Sequence, residues 1–134
     1  MRRVVIDTRF LVECFYSRDP EKQRRLRKLL EELIAEKRGI LPTIAIAEIV
    51  QETCRRRGVE EAKVRYYSLL RNGLEVAPIG PDVALQAGLL KCKHPNVPIG
   101  DCLIAAIAIT RKAAVLSDDP HFDEIKGVKR TWIQ

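Results

Sequence analysis

Short apolar runs alternate along this chain with longer segments of helical periodicity, and this alternation limits the folds that the chain can adopt. The runs at 4–6 and 113–116 are continuous, which is typical of strands buried on both faces of a parallel sheet. The segment 20–38 instead carries apolar residues three and four positions apart, as one face of a helix does. Strands that alternate with helices predict an α/β domain whose central, mostly parallel sheet is flanked by helices.

The same patterns predict the order of the elements within one domain, 1–134. Asp19 and Pro20 supply an N-cap and a first-turn proline for a helix over 20–38, which Gly39 is expected to end. Further helices are expected after Asp7 through Phe15 and over 43–57, 60–71, 81–93 and 99–112. Strands are expected within 2–7, 40–42, 74–79, 113–117 and 128–133.

Composition excludes several other classes of protein. Hydrophobic residues make up 46% of the 134 residues and charged residues 31%, which is typical of a globular chain rather than a disordered one. Asp7, Arg9 and Glu13 interrupt the N-terminal apolar run, so it is a poor secretory signal, and no apolar stretch reaches the length of a membrane span. We therefore expect a soluble, cytoplasmic protein without membrane association. The four cysteines form no C-x-x-C pair, which predicts reduced thiols rather than a zinc site.

Four acidic residues stand in apolar surroundings, whereas most of the 18 acids lie in charged stretches. Asp7 ends the first strand, and Asp119 follows the run AAVL after two residues. Glu48 interrupts the run IAIAEIV, and Asp101 stands at the head of an apolar helix. Taken singly, each Asp can be a turn, cap or helix N-terminal residue. Glu48 is harder to explain in this way, because carboxylates are rarely buried without a partner.

A shared cation explains the four acids together. The C-terminal ends of parallel strands meet at one edge of an open α/β sheet, and the two helices can direct their acids towards that edge. Carboxylates brought together there repel one another unless positive charge is present. Mg²⁺ and Mn²⁺ are the usual ions of carboxylate-and-water sites, so the sequence predicts Mg²⁺ or Mn²⁺ as the cofactor.

The pattern VVIDT…IAEIV…IGDCLIAAIA…LSDDPHF resembles the PIN-domain nucleases, especially the VapC-type ribonuclease toxins of VapBC toxin–antitoxin modules. The likeness runs in order along nearly the whole chain. It implies a three-layer α/β fold and an acidic pocket for one or two Mg²⁺ or Mn²⁺ ions. The positions that match the family's metal-binding and catalytic acids are Asp7, Glu48, Asp101 and Asp119. The positions that match its supporting hydroxyls are Thr8 and Ser117.

The motif SDDPHF contains two adjacent acids, of which Asp119 matches the family's acid and Asp118 takes its variable place. We therefore expect Asp118 to be an exposed turn residue, and His121, which follows a proline, to be exposed as well. Arg9 stands where the toxins often carry a small polar residue. Its guanidinium can contact the scissile phosphate or compete with the metal beside Asp7, and both interpretations stay open.

The activity that the resemblance implies is metal-assisted hydrolysis of RNA phosphodiester bonds by an endoribonuclease. Affinity for RNA would come from basic side chains, because contacts to phosphate dominate such binding. The net charge is +6, and the candidate RNA-binding residues are Arg9, Arg55, Arg56, Arg57, Lys91 and Lys93. The three consecutive arginines have an equally good interpretation as a favourable charge cluster at a helix C-terminus.

The resemblance also implies a small antitoxin protein as a partner, and a homodimer. Apolar residues of the helices 20–38 and 43–57 can serve either contact, or they can be ordinary core faces. Two other functions stay open: a PIN-fold RNA-processing nuclease outside a toxin module, and a catalytically weak PIN-fold binding or regulatory protein. An aspartyl-nucleophile phosphatase is excluded because Arg9 stands where that chemistry needs a second acid, and no phosphate-binding P-loop motif occurs.

Overall fold

A five-stranded parallel sheet forms the centre of the protein in the computed structural model, which describes residues 2–133. The strands are β1 (Val4–Ile6), β2 (Gly39–Pro42), β3 (Glu75–Ala77), β4 (Ala114–Leu116) and β5 (Arg130–Thr131). Their order across the sheet is β3-β2-β1-β4-β5, and every neighbouring pair is parallel. The C-terminal ends of β1 and β4 are adjacent because Ile6 pairs with Leu116. This architecture confirms the predicted three-layer α/β fold.

Six α-helices cover the two faces of the sheet within residues 2–133. They are α1 (Thr8–Tyr16), α2 (Pro20–Ala35), α3 (Thr43–Arg57), α4 (Val59–Arg71), α5 (Pro81–Lys93) and α6 (Ile99–Arg111). A short 3₁₀ helix, Pro120–Glu124, lies between β4 and β5. Apart from the end of α2, the predicted elements are confirmed to within a few residues at their ends, where helices and strands commonly fray.

Alternate residues of the short strands face two separate hydrophobic layers, because successive side chains of a strand point to opposite faces of a sheet. Val4 and Ile6 pack in one layer with α1, α2 and α3, whereas Val5 packs in the other layer with α5 and α6. Six residues of α6 are buried in that second layer, so this helix lies tightly against the sheet. Its first turn is thereby held near the edge where β1 and β4 end.

The end of α2 differs from the prediction that the helix covers 20–38 and stops at Gly39. The helix ends at Ala35, and Lys37 adopts a left-handed backbone conformation with a φ of 56°. Gly39 instead begins β2, where an added Cβ atom would lie 2.5 Å from Leu74 Cδ2. A side chain at this position would therefore force Leu74 to shift, so the absence of a side chain serves close packing in β2 rather than termination of the helix.

Large apolar side chains are exposed on α4 and α5 rather than on the helices where contact residues were predicted. The apolar residues of α2 and α3 pack into the core or against it, which favours the core-face interpretation of these residues. We call Val59, Val64, Tyr66, Tyr67 and Leu70 the α4 surface, and Leu85 and Leu89 the α5 surface. Among residues 2–133, no helix has both the length and the hydropathy that crossing a bilayer requires.

Candidate metal centre

The edge of the sheet where β1 and β4 end carries the four candidate acids. Asp7 follows β1 directly, and Asp119 follows β4 after two residues. Glu48 lies in the second turn of α3, where it is exposed rather than buried among its apolar neighbours as expected, and Asp101 lies in the first turn of α6. The charges of Asp119 and Glu48 act on Asp7, and those of Asp7 and Asp119 act on Asp101. The fold therefore brings together the acids that the sequence singled out.

Two hydroxyl groups hold two of these carboxylates in place. Ser117 is fully buried, and its Oγ donates a hydrogen bond of 2.6 Å to Oδ2 of Asp7. The same Oγ accepts a hydrogen bond of 2.9 Å from the backbone N–H of Asp119. Thr8 Oγ1 donates a hydrogen bond of 2.6 Å to Oε1 of Glu48. Thr8 and Ser117 thus lie against the acids that they were predicted to support.

Burial makes the ionised forms of two acids unfavourable. Asp7 is only 3% exposed, and burial raises its pKa to about 6, although the hydrogen bond from Ser117 acts in the opposite direction. Burial, followed by the charges of Asp7 and Asp119, raises the pKa of Asp101 to about 7. A cation bound among these carboxylates would favour their ionised forms and so offset both effects.

A cavity of about 300 Å³ opens beside the acids. Its lining includes Asp7, Glu48 and Asp101, together with Arg9 and Asp118. Three of the four candidate acids therefore face one open space that a ligand can enter. The fourth, Asp119, is linked to this group because its backbone N–H donates to Ser117 Oγ, which in turn donates to Asp7.

Asp118 is an ion-pair partner of Arg9 rather than the exposed turn residue that was predicted. Its side chain is 28% exposed, and its Oδ1 accepts a hydrogen bond of 2.6 Å from Arg9 Nε. Burial acts to raise the pKa of Asp118, but the hydrogen bond and charge of Arg9 outweigh it and leave that pKa below its usual value. The Arg9 guanidinium is thus bound at the rim of the cavity, 109 positions along the chain from its partner.

His121 also lies closer to the acids than the sequence indicated. Its Nδ1 atom is 2.8 Å from Asp119 Oδ1 and 3.7 Å from Asp101 Oδ2. Among residues 2–133, these three side chains form the group whose possible metal-ligand atoms all lie within 4.8 Å of one another. His121 therefore keeps 39% of its side chain exposed in a turn, as predicted, but it also lies within reach of two acids, which the sequence did not predict. His121 stands two residues after Asp119, in a turn that this acid caps. This spacing is the sequence signal that could have predicted the closeness of the imidazole to the acids.

The residues at this edge fit a divalent cation. Asp101 Oδ2 and His121 Nδ1 are both buried, and neither has a hydrogen-bond partner in the part of the chain that the structure describes. Buried polar atoms without partners are costly, and a metal ion is one group that satisfies them. The donor set of carboxylates with one imidazole is suited to Mg²⁺ or Mn²⁺, and the imidazole to a transition metal ion.

The predicted RNA-binding residues apart from Arg9 are not part of this centre. Arg55 and Arg56 pair with Glu52 near the C-terminal end of α3. At the rise of an α-helix, about 10 Å of helix axis separate Arg55 from Glu48. Lys91 Nζ donates to the carbonyls of Pro95 and Val97 at 2.7 and 2.8 Å, so it braces the loop before α6. Arg55 and Arg56 stay exposed despite these ion pairs, and Arg57 and Lys93 are exposed as well.

Comparison with solved structures identifies proteins of the same fold. A chain of the DNA-bound VapBC complex from Salmonella typhimurium matches with a TM-score of 0.79 and 18% identity, over 98% of each chain. A chain of Rickettsia felis VapBC2 bound to a promoter DNA fragment matches with a TM-score of 0.76 and 16% identity, over 96% of this chain and 97% of that one. Mycobacterium tuberculosis VapC20, a toxin that cleaves the sarcin–ricin loop, matches with a TM-score of 0.70 and 17% identity, over 90% and 93%.

The family of the chain is established by its sequence as well. Comparison with curated proteins gives no significant match. The model of the PIN domain, in contrast, matches residues 4–128, which include every acid of the candidate centre. The chain therefore belongs to the PIN-domain family.

Proposed function

We propose that this protein is a metal-dependent endoribonuclease that hydrolyses RNA phosphodiester bonds and serves as the toxin of a toxin–antitoxin pair. The observation that carries the proposal is the convergence of Asp7, Glu48, Asp101 and Asp119 at one edge of the sheet, beside an open cavity. Such a concentration of carboxylates is suited to divalent cations and, through them, to phosphate groups. Membership of the PIN-domain family supports a nuclease.

In this proposal, the four acids hold Mg²⁺ or Mn²⁺. When bound, such an ion supplies electrophilic activation of a water and of the phosphate, so that no protein nucleophile is required. The chain's own hydroxyl groups keep the ligands in place: Ser117 orients Asp7, and Thr8 orients Glu48. Ligands that are oriented in advance bind metal more tightly than mobile ones, because less freedom is lost on binding.

Arg9 is the chain's own candidate for contact with the substrate phosphate. Its Nε is bound to Asp118, but its two Nη atoms make no hydrogen bond with residues 2–133. The side chain is 58% exposed at the rim of the acidic cavity. A guanidinium in this position can donate to the non-bridging oxygens of a phosphate next to the acids. Asp118 keeps it from folding back onto Asp7, which favours phosphate contact over competition with the metal.

The similar structures support the toxin role. Two of them are VapBC complexes, and the third is a toxin that cleaves an RNA loop. We therefore propose that this chain also binds a small antitoxin, which would offer a basic side chain to the acids and so block the cavity. Two exposed apolar surfaces are available for partners, and we propose that the α5 surface forms a homodimer while the α4 surface receives the antitoxin.

The first experiment is cleavage of an end-labelled, mixed-sequence single-stranded RNA by the purified protein. It is run with Mg²⁺, with Mn²⁺ and with EDTA, and with Asp7→Asn and Asp101→Asn. Asp82→Asn is the matched control, because Asp82 is an exposed acid on α5 outside the acidic cavity. We expect metal-dependent cleavage that both site variants lose and the control retains.

Calorimetry on the same samples separates the alternatives. Binding of Mn²⁺ without cleavage of the mixed RNA would indicate narrow substrate specificity. Cleavage assays with a panel of structured RNAs then test for the specific target. Absence of both cleavage and metal binding would contradict the nuclease and favour the catalytically weak binding protein. Co-purification with a small protein, should a neighbouring gene encode one, would distinguish a toxin from an RNA-processing nuclease.

A further inference from the structure

His121 is held against the acids by the backbone as well as by its own side chain. Asp119 caps the 3₁₀ helix Pro120–Glu124, and its Oδ1 accepts a hydrogen bond of 2.9 Å from the backbone N–H of His121. The next residue, Phe122, is fully buried in the layer formed with α5 and α6. The cap on one side and the buried aromatic ring on the other fix the backbone of His121. Its imidazole therefore lies beside Asp119 as a consequence of the local fold.

The distances around the imidazole are those of ligands that share one ion. Neighbouring ligands of an octahedral ion with bonds of about 2.1 Å lie about 3 Å apart, and those of a tetrahedral ion about 3.5 Å apart. His121 Nδ1 lies 2.8 Å from Asp119 Oδ1 and 3.7 Å from Asp101 Oδ2. The ligand atoms of the three side chains all lie within 4.8 Å of one another, which is close enough for them to share one ion after small movements.

A simple hydrogen bond between His121 and Asp119 explains the geometry less well. Although His121 Nδ1 lies 2.8 Å from Asp119 Oδ1, the two atoms do not meet the geometry of a hydrogen bond, and Nδ1 has no hydrogen-bond partner among residues 2–133. Asp119 Oδ1 already accepts the backbone N–H of His121. Asp101 Oδ2, on the other side, is equally buried and without a partner there. Two buried, unpartnered atoms that lie 3.7 Å apart indicate a shared ligand.

We infer that His121 Nδ1 is a metal ligand, together with Asp101 and Asp119, and that it makes this centre prefer Mn²⁺ or a similar divalent transition metal ion over Mg²⁺. The chemical reason is that first-row transition metal ions accept imidazole nitrogen as a ligand, Mn²⁺ least strongly among them, whereas Mg²⁺ keeps to oxygen ligands and water. This inference rests on the proposed metal centre and adds a nitrogen ligand to its acids.

The test is pulsed electron paramagnetic resonance of Mn²⁺ bound to the metal-stripped protein, purified without a histidine tag. The chain has two histidines, so His94→Ala is the matched control for His121→Ala. We expect nitrogen modulation from one imidazole in the wild type and in His94→Ala, and none in His121→Ala. Labelling the wild type with ¹⁵N-histidine should convert the ¹⁴N pattern to a ¹⁵N pattern, which identifies the ligand without any substitution.

Calorimetric titrations with Mn²⁺ and Mg²⁺ supply the second readout. Loss of groups that merely orient metal ligands weakens metal binding by about 10- to 100-fold, so loss of a ligand should raise the Kd for Mn²⁺ by about tenfold or more. The Kd for Mg²⁺ should change little. If Mn²⁺ binds to the wild type without nitrogen modulation, and equally well to His121→Ala, the inference is overturned while the acidic metal centre stands. If neither ion binds to the wild type, the metal centre and the inference are both wrong.

Discussion

Ser117 Oγ and Asp7 Oδ2 are joined by a hydrogen bond of 2.6 Å, although the two residues are 110 positions apart in the chain. The bond exists because β1 and β4 are neighbours in the sheet, with Ile6 paired to Leu116. The same hydroxyl accepts the backbone N–H of Asp119. One buried serine therefore sets the positions of two acids that come from different strands.

Replacing this serine should weaken both folding and metal binding. Ser117→Ala leaves a buried oxygen of Asp7 without its donor, which should cost about 1–3 kcal/mol of unfolding free energy. The affinity for Mn²⁺ should fall by about tenfold, because Asp7 and Asp119 lose their common support. Urea denaturation in EDTA and calorimetry with Mn²⁺ measure the two effects. Ser117→Thr, which keeps the hydroxyl, is the matched control, and equal losses in both variants would argue against the hydrogen bond as the cause.

The stability of the metal-free protein should depend on the charge of Asp7. Burial raises its pKa to about 6, whereas a pKa near 3.8 is expected in the unfolded chain. The folded state therefore binds the proton more tightly than the unfolded state does. The resulting contribution to stability is present in full below about pH 4 and is lost as the pH rises through about 6.

Asp7→Asn removes this dependence, because the amide does not ionise. In EDTA at pH 8, the variant should be more stable than the wild type by about 1–3 kcal/mol, and the difference should disappear towards pH 4. Urea denaturation across that pH range measures the unfolding free energies. A variant that is no more stable than the wild type at pH 8 would show that burying the ionised carboxylate of Asp7 does not destabilise the folded protein.

Arg9 should contribute a phosphate contact that arginines elsewhere on the surface do not. Arg9→Gln should weaken binding of single-stranded RNA and reduce the slope of log K against log salt by about one, the effect of one lost phosphate contact. The matched control is Arg57→Gln, at the exposed C-terminal end of α3. Fluorescence anisotropy with Asp101→Asn as the common background avoids cleavage during the titration. Equal effects of the two substitutions would indicate general attraction rather than a contact at the centre.

The two exposed apolar surfaces should serve different partners. On α5, Leu85 and Leu89 flank Gly88, where an added Cβ atom would meet nothing within 4 Å, so another helix can approach closely. Leu89→Glu should therefore yield a monomer in analytical ultracentrifugation. Val64→Glu on α4 should leave the homodimer intact and abolish antitoxin binding. Both changes lie on the surface and should alter the unfolding free energy by less than about 0.5 kcal/mol. A dimer that persists in Leu89→Glu would place the homodimer contact elsewhere.

Local patterns in the sequence determined the fold class and the identity of the acids. Continuous apolar runs, helical periodicity and their alternation depend on neighbours within a few positions, so they predict the parallel α/β architecture without any tertiary information. The unusual apolar surroundings of Asp7, Glu48, Asp101 and Asp119 are equally local. Since parallel strands end at one edge, these patterns also predict that the acids converge there.

Only the tertiary structure decided which other side chains join the acids. Arg9 and Asp118 are 109 positions apart, and His121 reaches Asp101 because a capped turn packs against the first turn of α6. Gly39 was predicted to end α2, yet it begins β2 and packs against the side chain of Leu74. Which apolar residues stay exposed likewise depends on tertiary packing, because only those on helix faces turned away from the core remain accessible to solvent. Ion pairs, metal ligands and exposed surfaces arise from distances between remote residues, and those distances exist only after the strands and helices have packed.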